Sequence, residues 1–205
     1  MKPAYWDKAK RELSRSDPTL GTIIGRCPRM HLVPRGDPFY TLARSIVGQQ
    51  ISVKAAQAVW NRLLDALPEV APETALEAGA DKLFACGLSR RKVEYLTDLA
   101  AHFASARIQP AQWNTMSDEE VIAELVQIRG IGRWTAEMLL IFSLLRPDVL
   151  PVDDLGLQRA VSLGYRGGRK VSESTIRRVA RTWAPWRSVA TWYLWRSLDP
   201  LPVEY

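Results

Sequence analysis

Residues 125–136 read LVQIRGIGRWTA, and this stretch decides the fold. Before it, Ser117 and Glu120 have the spacing of a capping box, which marks the start of a helix. Apolar residues then recur at helical spacing until two glycines interrupt the pattern, and the spacing resumes after them until Pro147. The pattern therefore predicts two helices joined by a very tight Gly-Ile-Gly turn.

The two glycines of this turn, Gly130 and Gly132, have two physical consequences. They allow backbone angles that other residues avoid. They also remove side chains from the turn, so that backbone N–H groups at the start of the second helix face outward. A helix N-terminus with outward-facing amides is a binding site for phosphate. A plain hairpin that needs glycine for its turn is the alternative, and the spacing alone does not separate the two.

The chain of 205 residues carries a formal net charge of +6, and the position of this charge matters more than its size. Residues 156–205 contain nine basic and three acidic side chains, whereas the charges of the preceding residues cancel. The basic residues that crowd this last quarter include Arg166, Arg169, Lys170, Arg177, Arg178 and Arg181. Localised positive charge suits a polyanion such as nucleic acid. A solvated face without a partner is the alternative.

The remaining composition indicates a globular protein inside the cell. No stretch is long enough and free enough of charge to span a bilayer, and the charges in residues 1–16 exclude a signal peptide. Cys27 and Cys86 are far apart and follow no metal-ligand spacing. We therefore expect an intracellular monomer, cytoplasmic and associated with the nucleoid or else nuclear, with no membrane partner and no metal.

Helical spacing recurs along the chain, and no run shows the period of two that a strand requires. The predicted fold class is therefore all-α. Glycines and prolines in residues 17–36 predict a long irregular connection, and Gly164 and Gly167-Gly168 are expected to break the helix that follows Asp154. The predicted organisation is two helical subdomains: residues 1–37 with 146–205, and residues 38–145, which contain the hairpin at 117–145.

Two adjacent acids, Asp153 and Asp154, directly precede a predicted helix. An acid at this place can cap the helix and lie at its positive end, and most such residues are structural caps. One cap needs only one acid, however, so the second carboxylate can lie in a cleft where nearby amides stabilise its charge. A carboxylate so placed can stabilise a developing sugar cation or orient a water molecule.

Tryptophans form a second candidate group. Trp134 begins the second hairpin helix, and Trp186, Trp192 and Trp195 crowd the end of the chain. Aromatic residues in an all-α domain usually belong to the core. Trp134 lies beside the Gly-Ile-Gly turn, however, and an indole face attracts cations and stacks on flat bases.

Taken together, these motifs resemble those of the helix-hairpin-helix base-excision DNA glycosylases. The Gly-Ile-Gly turn followed by Thr-Ala is similar to the hairpin of that superfamily, and residues 150–156, LPVDDLG, are similar to its acidic loop. Residues 45–52, SIVGQQIS, and 185–188, PWRS, resemble the branch called 3-methyladenine DNA glycosylase II. The resemblance implies that superfamily's fold, with an active-site cleft between two helical subdomains.

The resemblance also implies roles for the two acids and for Trp134. Asp154 stands at the position of the catalytic acid, and Asp153 at that of its non-essential neighbour. Trp134 stands where relatives with lyase activity have a nucleophilic lysine. Since tryptophan cannot form a Schiff base, no strand cleavage is expected.

Pocket and DNA contacts follow from the same resemblance. Trp134, Met138 and Trp195 are expected to line the base pocket, with Met138 in place of a tyrosine found in some relatives. Gln50 is expected to fill the gap left by an everted base. No cofactor is required, although a monovalent cation bound by hairpin carbonyls in related proteins is a further expectation. The residues expected to contact DNA are Gln50, Gly130, Ile131, Gly132, Arg133 and Thr135.

The implied reaction is hydrolysis of the N-glycosidic bond of alkylated purines, such as 3-methyladenine, in double-stranded DNA. Alkylation makes the purine cationic, which strengthens its stacking on tryptophan and weakens the glycosidic bond, so no general acid is required. Flipping costs least for a damaged base. Three alternatives stay open: a glycosylase for deaminated or other damaged bases, a non-catalytic module that binds damaged DNA, and a helical scaffold without nucleic acid.

Overall fold

The computed structural model describes residues 2–198, and every regular element within them is a helix, which confirms the predicted all-α class. Short 3-10 helices cover Pro110–Thr115 and Ala180–Trp183. No helix in the described range is long and apolar enough to cross a membrane. The α-helices are α1 (Trp6–Ser16), α2 (Pro18–Arg26), α3 (Pro38–Gly48), α4 (Val53–Ala66), α5 (Pro72–Ala85), α6 (Arg90–Ala104), α7 (Asp118–Leu125), α8 (Arg133–Phe142), α9 (Leu155–Arg166), α10 (Glu173–Val179) and α11 (Arg187–Leu198).

The described chain divides into two compact units. The first unit comprises residues 2–34 and 140–198, and the second comprises residues 35–139. In the first unit α11 packs against α1, α2 and α9. Trp6 is buried there and donates its Nε1–H to the hydroxyl of Tyr193 at 3.2 Å. Helix α9, which follows the acidic loop, thereby packs into the core of the first unit.

Helix α2 corrects the prediction of an irregular connection over residues 17–36. Asp17 caps this helix by accepting two backbone N–H groups of its first turn, and a proline at the first helical position has a backbone suited to a helix. The same buried carboxylate accepts hydrogen bonds from the hydroxyl of Tyr165 at 2.7 Å and from Trp183 Nε1 at 2.9 Å. Cap and tertiary contacts together therefore outweigh the glycines within α2.

Two further helix boundaries differ from the prediction. Gly164 lies inside α9 and does not break it, because the helix ends only at Gly167, which has a left-handed φ of 59°. Helix α8 ends at Phe142 rather than at Pro147. Leu145 has a positive φ of 55°, so the chain leaves the helical path before the proline is reached.

The second unit is built around α3 and α6, with α5 packed on α6 and α4 on α3. Phe39 of α3 meets Phe103 of α6 edge to face, with ring centroids 5.4 Å apart. The predicted capping box at the start of α7 is confirmed, since Ser117 Oγ accepts the N–H of Glu120 and Glu120 Oε2 accepts the N–H of Ser117. These elements present the hairpin turn between α7 and α8.

Candidate functional site

Asp154 is the N-cap of α9, and two N–H donors converge on one of its oxygens. Its Oδ1 accepts the backbone N–H of Leu157 at 2.6 Å and the indole N–H of Trp195 at 2.7 Å. The carboxylate thus lies at the positive end of the helix dipole, which favours a negative charge. Asp154 is buried whereas Asp153 is exposed, so the structure clearly separates the two acids of the loop.

The indole of Trp195 is oriented by two contacts. Its N–H binds Asp154, and its ring stacks on that of Phe142, with centroids 5.9 Å apart and an angle of 10° between the planes. Phe142 therefore packs against one face of the indole and helps to fix its orientation. Phe142 was not predicted as a site residue, because its position in the sequence is that of an ordinary apolar residue of a helix.

Gly156 makes room for this pair of side chains. A Cβ at Gly156 would lie 3.0 Å from Asp154 Oδ1 and 3.0 Å from Trp195 Cδ1. Real Cβ contacts are rarely so short, so a larger residue would push the carboxylate or the indole aside. Gly156 closes the quoted motif LPVDDLG, and its position two residues after Asp154 is the signal that could have identified it.

In the hairpin turn Gly130 is required for two reasons. It has a positive φ of 83°, which favours glycine over residues with a Cβ. A Cβ at this position would also overlap the aromatic ring of Tyr95, which lies directly against the turn. The prediction that glycine permits unusual backbone angles is therefore confirmed at Gly130, and Tyr95 is the partner that the sequence did not reveal.

Gly132 differs from Gly130, and the expectation of a special backbone does not hold there. It has no left-handed φ, and a Cβ built on it meets no atom within 4 Å. Its carbonyl accepts the N–H of Ala136 at 3.1 Å, which opens α8 with glycine in place of a side-chain cap. Residues 133–135 form the first turn of α8, where the backbone N–H groups of a helix point toward its N-terminal end. Glycine thus leaves open space in front of this turn.

Arg133, the first residue of α8, is held by two carboxylates. Its guanidinium donates to both oxygens of Glu119 and donates Nε–H to Glu137 Oε1 at 3.0 Å. Hydrogen bonding to Glu119 is the main cause that raises the pKa of Arg133, and Glu137 adds to it. Because both acids balance its charge, we expect the backbone amide of Arg133, rather than its guanidinium, to meet a phosphate.

The loop between α3 and α4 carries Gln50, the residue that is predicted to fill the gap left by an everted base. Gln50 is exposed and has a positive φ of 57°, which is uncommon for a residue with a side chain. The preceding Gln49 donates its Nε2–H to the carbonyl of Gly130 at 2.8 Å and so ties this loop to the hairpin turn. Gln49 was not predicted, since its partner lies 81 residues away in the sequence.

A cavity of about 410 Å³ lies in the second unit, beside this loop. Gln49, Gln50 and Ile51 border it together with Trp60 and Trp134. Trp134 is 38% exposed, so part of its indole is accessible from outside the unit core. The structure thus brings Trp134 and Gln50 to one cavity.

The predicted pocket of Trp134, Met138 and Trp195 stays a prediction. Trp195 lies with Asp154 in the first unit, whereas Trp134 and Met138 lie in the second. Met138 is half-buried and does not border the cavity beside Gln50. Among the other hairpin residues, Ile131 and Thr135 are buried, so their side chains support the turn and their backbone is the part that a ligand can meet.

The basic residues of the last quarter fall into two groups. Some are used within the protein: Arg187 binds Asp148 through two nitrogens at 2.7 Å, and Arg177 binds Glu173. Others are exposed at the C-terminal end of α9 and along the following segment, namely Arg166, Arg169, Lys170, Arg178 and Arg181. Within residues 2–198 no group of three or more His, Cys, Asp or Glu side chains could hold a metal ion.

Comparison with known proteins relates these features to one family. The model of the HhH-GPD superfamily, base excision DNA repair proteins, matches residues 43–185. DNA-3-methyladenine glycosylase 1 of Schizosaccharomyces pombe is 34% identical over 197 residues, which cover 93% of this chain and 86% of that protein.

Solved structures give the same result. A 3-methyladenine DNA glycosylase of Schizosaccharomyces pombe in complex with abasic DNA superposes with a TM-score of 0.81 at 33% identity, covering 97% of this chain and 99% of that chain. A DNA-3-methyladenine glycosidase from Bacillus halodurans superposes with a TM-score of 0.79 at 34% identity, covering 89% and 90% of the two chains.

Proposed function

The chain belongs to the HhH-GPD superfamily of base excision DNA repair proteins, and we propose that it is a monofunctional DNA glycosylase that removes alkylated purines from double-stranded DNA. The reaction hydrolyses the bond between the purine nitrogen and C1′ of deoxyribose, which yields a free base and an abasic site. The observation that carries this proposal is Asp154, a buried carboxylate on which two N–H donors converge at the start of α9.

Binding begins at the hairpin. Backbone N–H groups at the start of α8 contact a phosphate, because the positive end of the helix dipole attracts an anion and Gly132 leaves the approach open. Exposed basic residues of the last quarter add affinity that does not depend on base sequence. Gln50 then enters the base stack in place of the everted nucleotide, and the energy of flipping is least for a damaged base.

Aromatic contacts select the base. An alkylated purine carries a positive charge, and a cation gains about 1–2 kcal/mol on an indole face when it is desolvated. Trp134 and Trp195 are the indoles that we assign to this contact, with Met138 as an apolar neighbour on the same helix as Trp134. For Trp195 the contact uses the face that does not pack against Phe142.

Bond cleavage needs no proton on the leaving base. The electron pair of the glycosidic bond goes to the alkylated purine and neutralises its positive charge, while positive charge develops on the sugar. The negative charge of Asp154 stabilises this positive charge, in the way that carboxylates stabilise oxocarbenium ions in glycoside hydrolysis. A water molecule then adds to C1′ and releases a proton. Trp134 offers no amine for a Schiff base, so the DNA strand stays intact.

The test is release of 3-methyladenine from methylated DNA under single-turnover conditions. Asp154→Asn should lower the rate at least 100-fold, the size expected when an electrostatic group is removed from a reacting centre. The same variant should bind abasic DNA with nearly unchanged affinity. The matched control is Asp153→Asn, which removes the exposed neighbouring acid and should retain the wild-type rate.

Other outcomes would overturn specific parts of the proposal. Full activity of Asp154→Asn would refute the catalytic assignment. DNA binding without release of any base would indicate a module that recognises damage without cutting, and faster release of hypoxanthine than of alkylated purines would change the substrate class.

We further propose that the enzyme acts as a monomer where genomic DNA lies, in the nucleoid or the nucleus.

A further inference from the structure

The loop that carries Gln50 has little packing on one side. Gln49, Gln50 and Ile51 border the cavity of about 410 Å³, so the core of the unit does not support the loop there. Gln50 nevertheless has a φ of 57°, a conformation that persists only where the surroundings enforce it. Specific contacts must therefore hold the loop in place.

Two hydrogen bonds between distant parts of the second unit provide this support. Lys92 of α6 donates from Nζ to the carbonyl of Val47, in the last turn of α3, at 2.7 Å. Lys92 is partly buried, and this burial lowers the pKa of its ammonium group. Gln49, directly after α3, donates from Nε2 to the carbonyl of Gly130 at 2.8 Å.

Helix α6 supports the hairpin turn from the same face. Lys92, Tyr95 and Asp98 are spaced three residues apart and so lie on one side of the helix. The ring of Tyr95 lies against Gly130, and Asp98 Oδ2 accepts the backbone N–H of Arg129 at 2.8 Å. Helix α6 therefore contacts both the hairpin turn and the end of α3, directly before the loop that carries Gln50, and Gln49 links this loop to the turn.

We propose that Gln49 is a positioning residue that couples phosphate binding at the hairpin turn to insertion of Gln50 into the duplex. This inference rests on the proposed function, because it takes the turn and Gln50 as DNA contacts. The amide of Gln49 sets the distance between Gln50 and the turn. When a phosphate of the duplex is bound at the turn, the stacked bases consequently lie at a fixed position relative to Gln50.

The experiment measures base flipping without excision. All proteins carry Asp154→Asn, and the duplex contains a fluorescent purine analogue beside an alkylated purine. Gln49→Ala should lower the flipped fraction ~2- to 10-fold, the effect of losing one neutral hydrogen bond. Gln49→Glu should lower it at least as much, because an acceptor then faces the carbonyl of Gly130. Affinity for undamaged duplex should not change in either variant.

The control and a double-mutant cycle separate positioning from a general structural effect. Gln112→Ala alters an exposed glutamine in a 3-10 helix of the same unit and should leave flipping unchanged. In a Gln50→Ala background, Gln49→Ala should have no further effect, since Gln49 acts through Gln50.

Equal flipping by Gln49→Ala and the parent protein, or additive effects of the two glutamines, would overturn the inference. If the parent protein itself flips no base, and the enzyme with Asp154 restored releases none, the proposed function fails instead. That outcome is distinct because it does not depend on residue 49.

Discussion

Asp154 caps a helix and binds an indole with the same oxygen atom. An exposed N-cap contributes about 1 kcal/mol to stability through one such bond. The second donor, from Trp195, adds an orientation that a plain cap does not need. Because two N–H groups fix Oδ1, the carboxylate is oriented before substrate binds, and this preorganisation is what electrostatic catalysis requires.

A single methyl group added at Gly156 tests whether the positions of Asp154 and Trp195 matter for base release. Gly156→Ala should displace Trp195 or Asp154 by a few tenths of an ångström, because the new Cβ lies 3.0 Å from both side chains. Since small misplacements of reacting groups are costly, we expect base release on the order of tenfold slower. Single-turnover release, with thermal unfolding measured in parallel, checks this prediction.

Gly164→Ala is the matched control in the same helix. Its Cβ would lie 3.3 Å from a methyl carbon of Thr19, a side chain that can shift slightly. We expect unchanged base release, and stability that is equal or higher by up to about 1 kcal/mol, because alanine favours helix. Equal rates for the two alanine variants would contradict the role given to Gly156.

At the scale of the element, the hairpin divides two tasks between its glycines. Gly130 serves the fold, because its positive φ and the ring of Tyr95 leave no room for a side chain. Gly132 has neither constraint and lies where α8 begins. Its lack of a side chain therefore matters for what approaches the helix from outside.

The two glycines should respond differently to alanine. Gly130→Ala should lower the free energy of unfolding by ~2–4 kcal/mol, through backbone strain and the clash with Tyr95. Gly132→Ala should change it by less than about 1 kcal/mol but weaken binding to undamaged duplex several-fold, since its methyl group stands in front of the phosphate-binding amides. Denaturant unfolding and fluorescence anisotropy measure these effects. The reverse pattern would show that Gly132 serves the fold.

At the scale of the whole molecule, the net charge of +6 is not spread over equivalent side chains. Arg187 and Arg177 are engaged by acids, while residues such as Lys170 and Arg181 are exposed. Only side chains that neutralise DNA phosphates release counterions and steepen the dependence of binding on salt. Formal charge therefore overstates the charge available to DNA.

The salt dependence of DNA binding tests this distinction. Replacing Lys170 and Arg181 together with alanine should reduce the slope of log K against log salt by up to ~1.8, about 0.9 for each lost phosphate contact. The control, Arg15→Ala with Arg26→Ala, removes the same charge from exposed positions of the same unit and should leave the slope nearly unchanged. Equal reductions would show that net charge alone sets the slope.

Local signals explain what could be predicted. The capping box at Ser117 could be predicted because its two residues lie within one helical turn. Asp17 followed by Pro18 is an equally local signal at the start of α2, yet the glycines and prolines of residues 17–36 predict an irregular connection instead. The tertiary reason is at Gly21, where a Cβ would lie 3.1 Å from the carbonyl oxygen of Ser14, so glycine allows two helices to approach closely.

The sequence by itself determined the all-helical class, the helical hairpin and the motif around Asp154, because periodicity, caps and glycine placement act within a few residues. Only the tertiary structure decided which side chains meet across long separations. Trp195 donates a hydrogen bond to Asp154, 41 residues away in the sequence, and Gln49 donates one to Gly130, 81 residues away. Such pairs follow from the packing of whole helices, which no short pattern encodes, and the proposed chemistry depends on them.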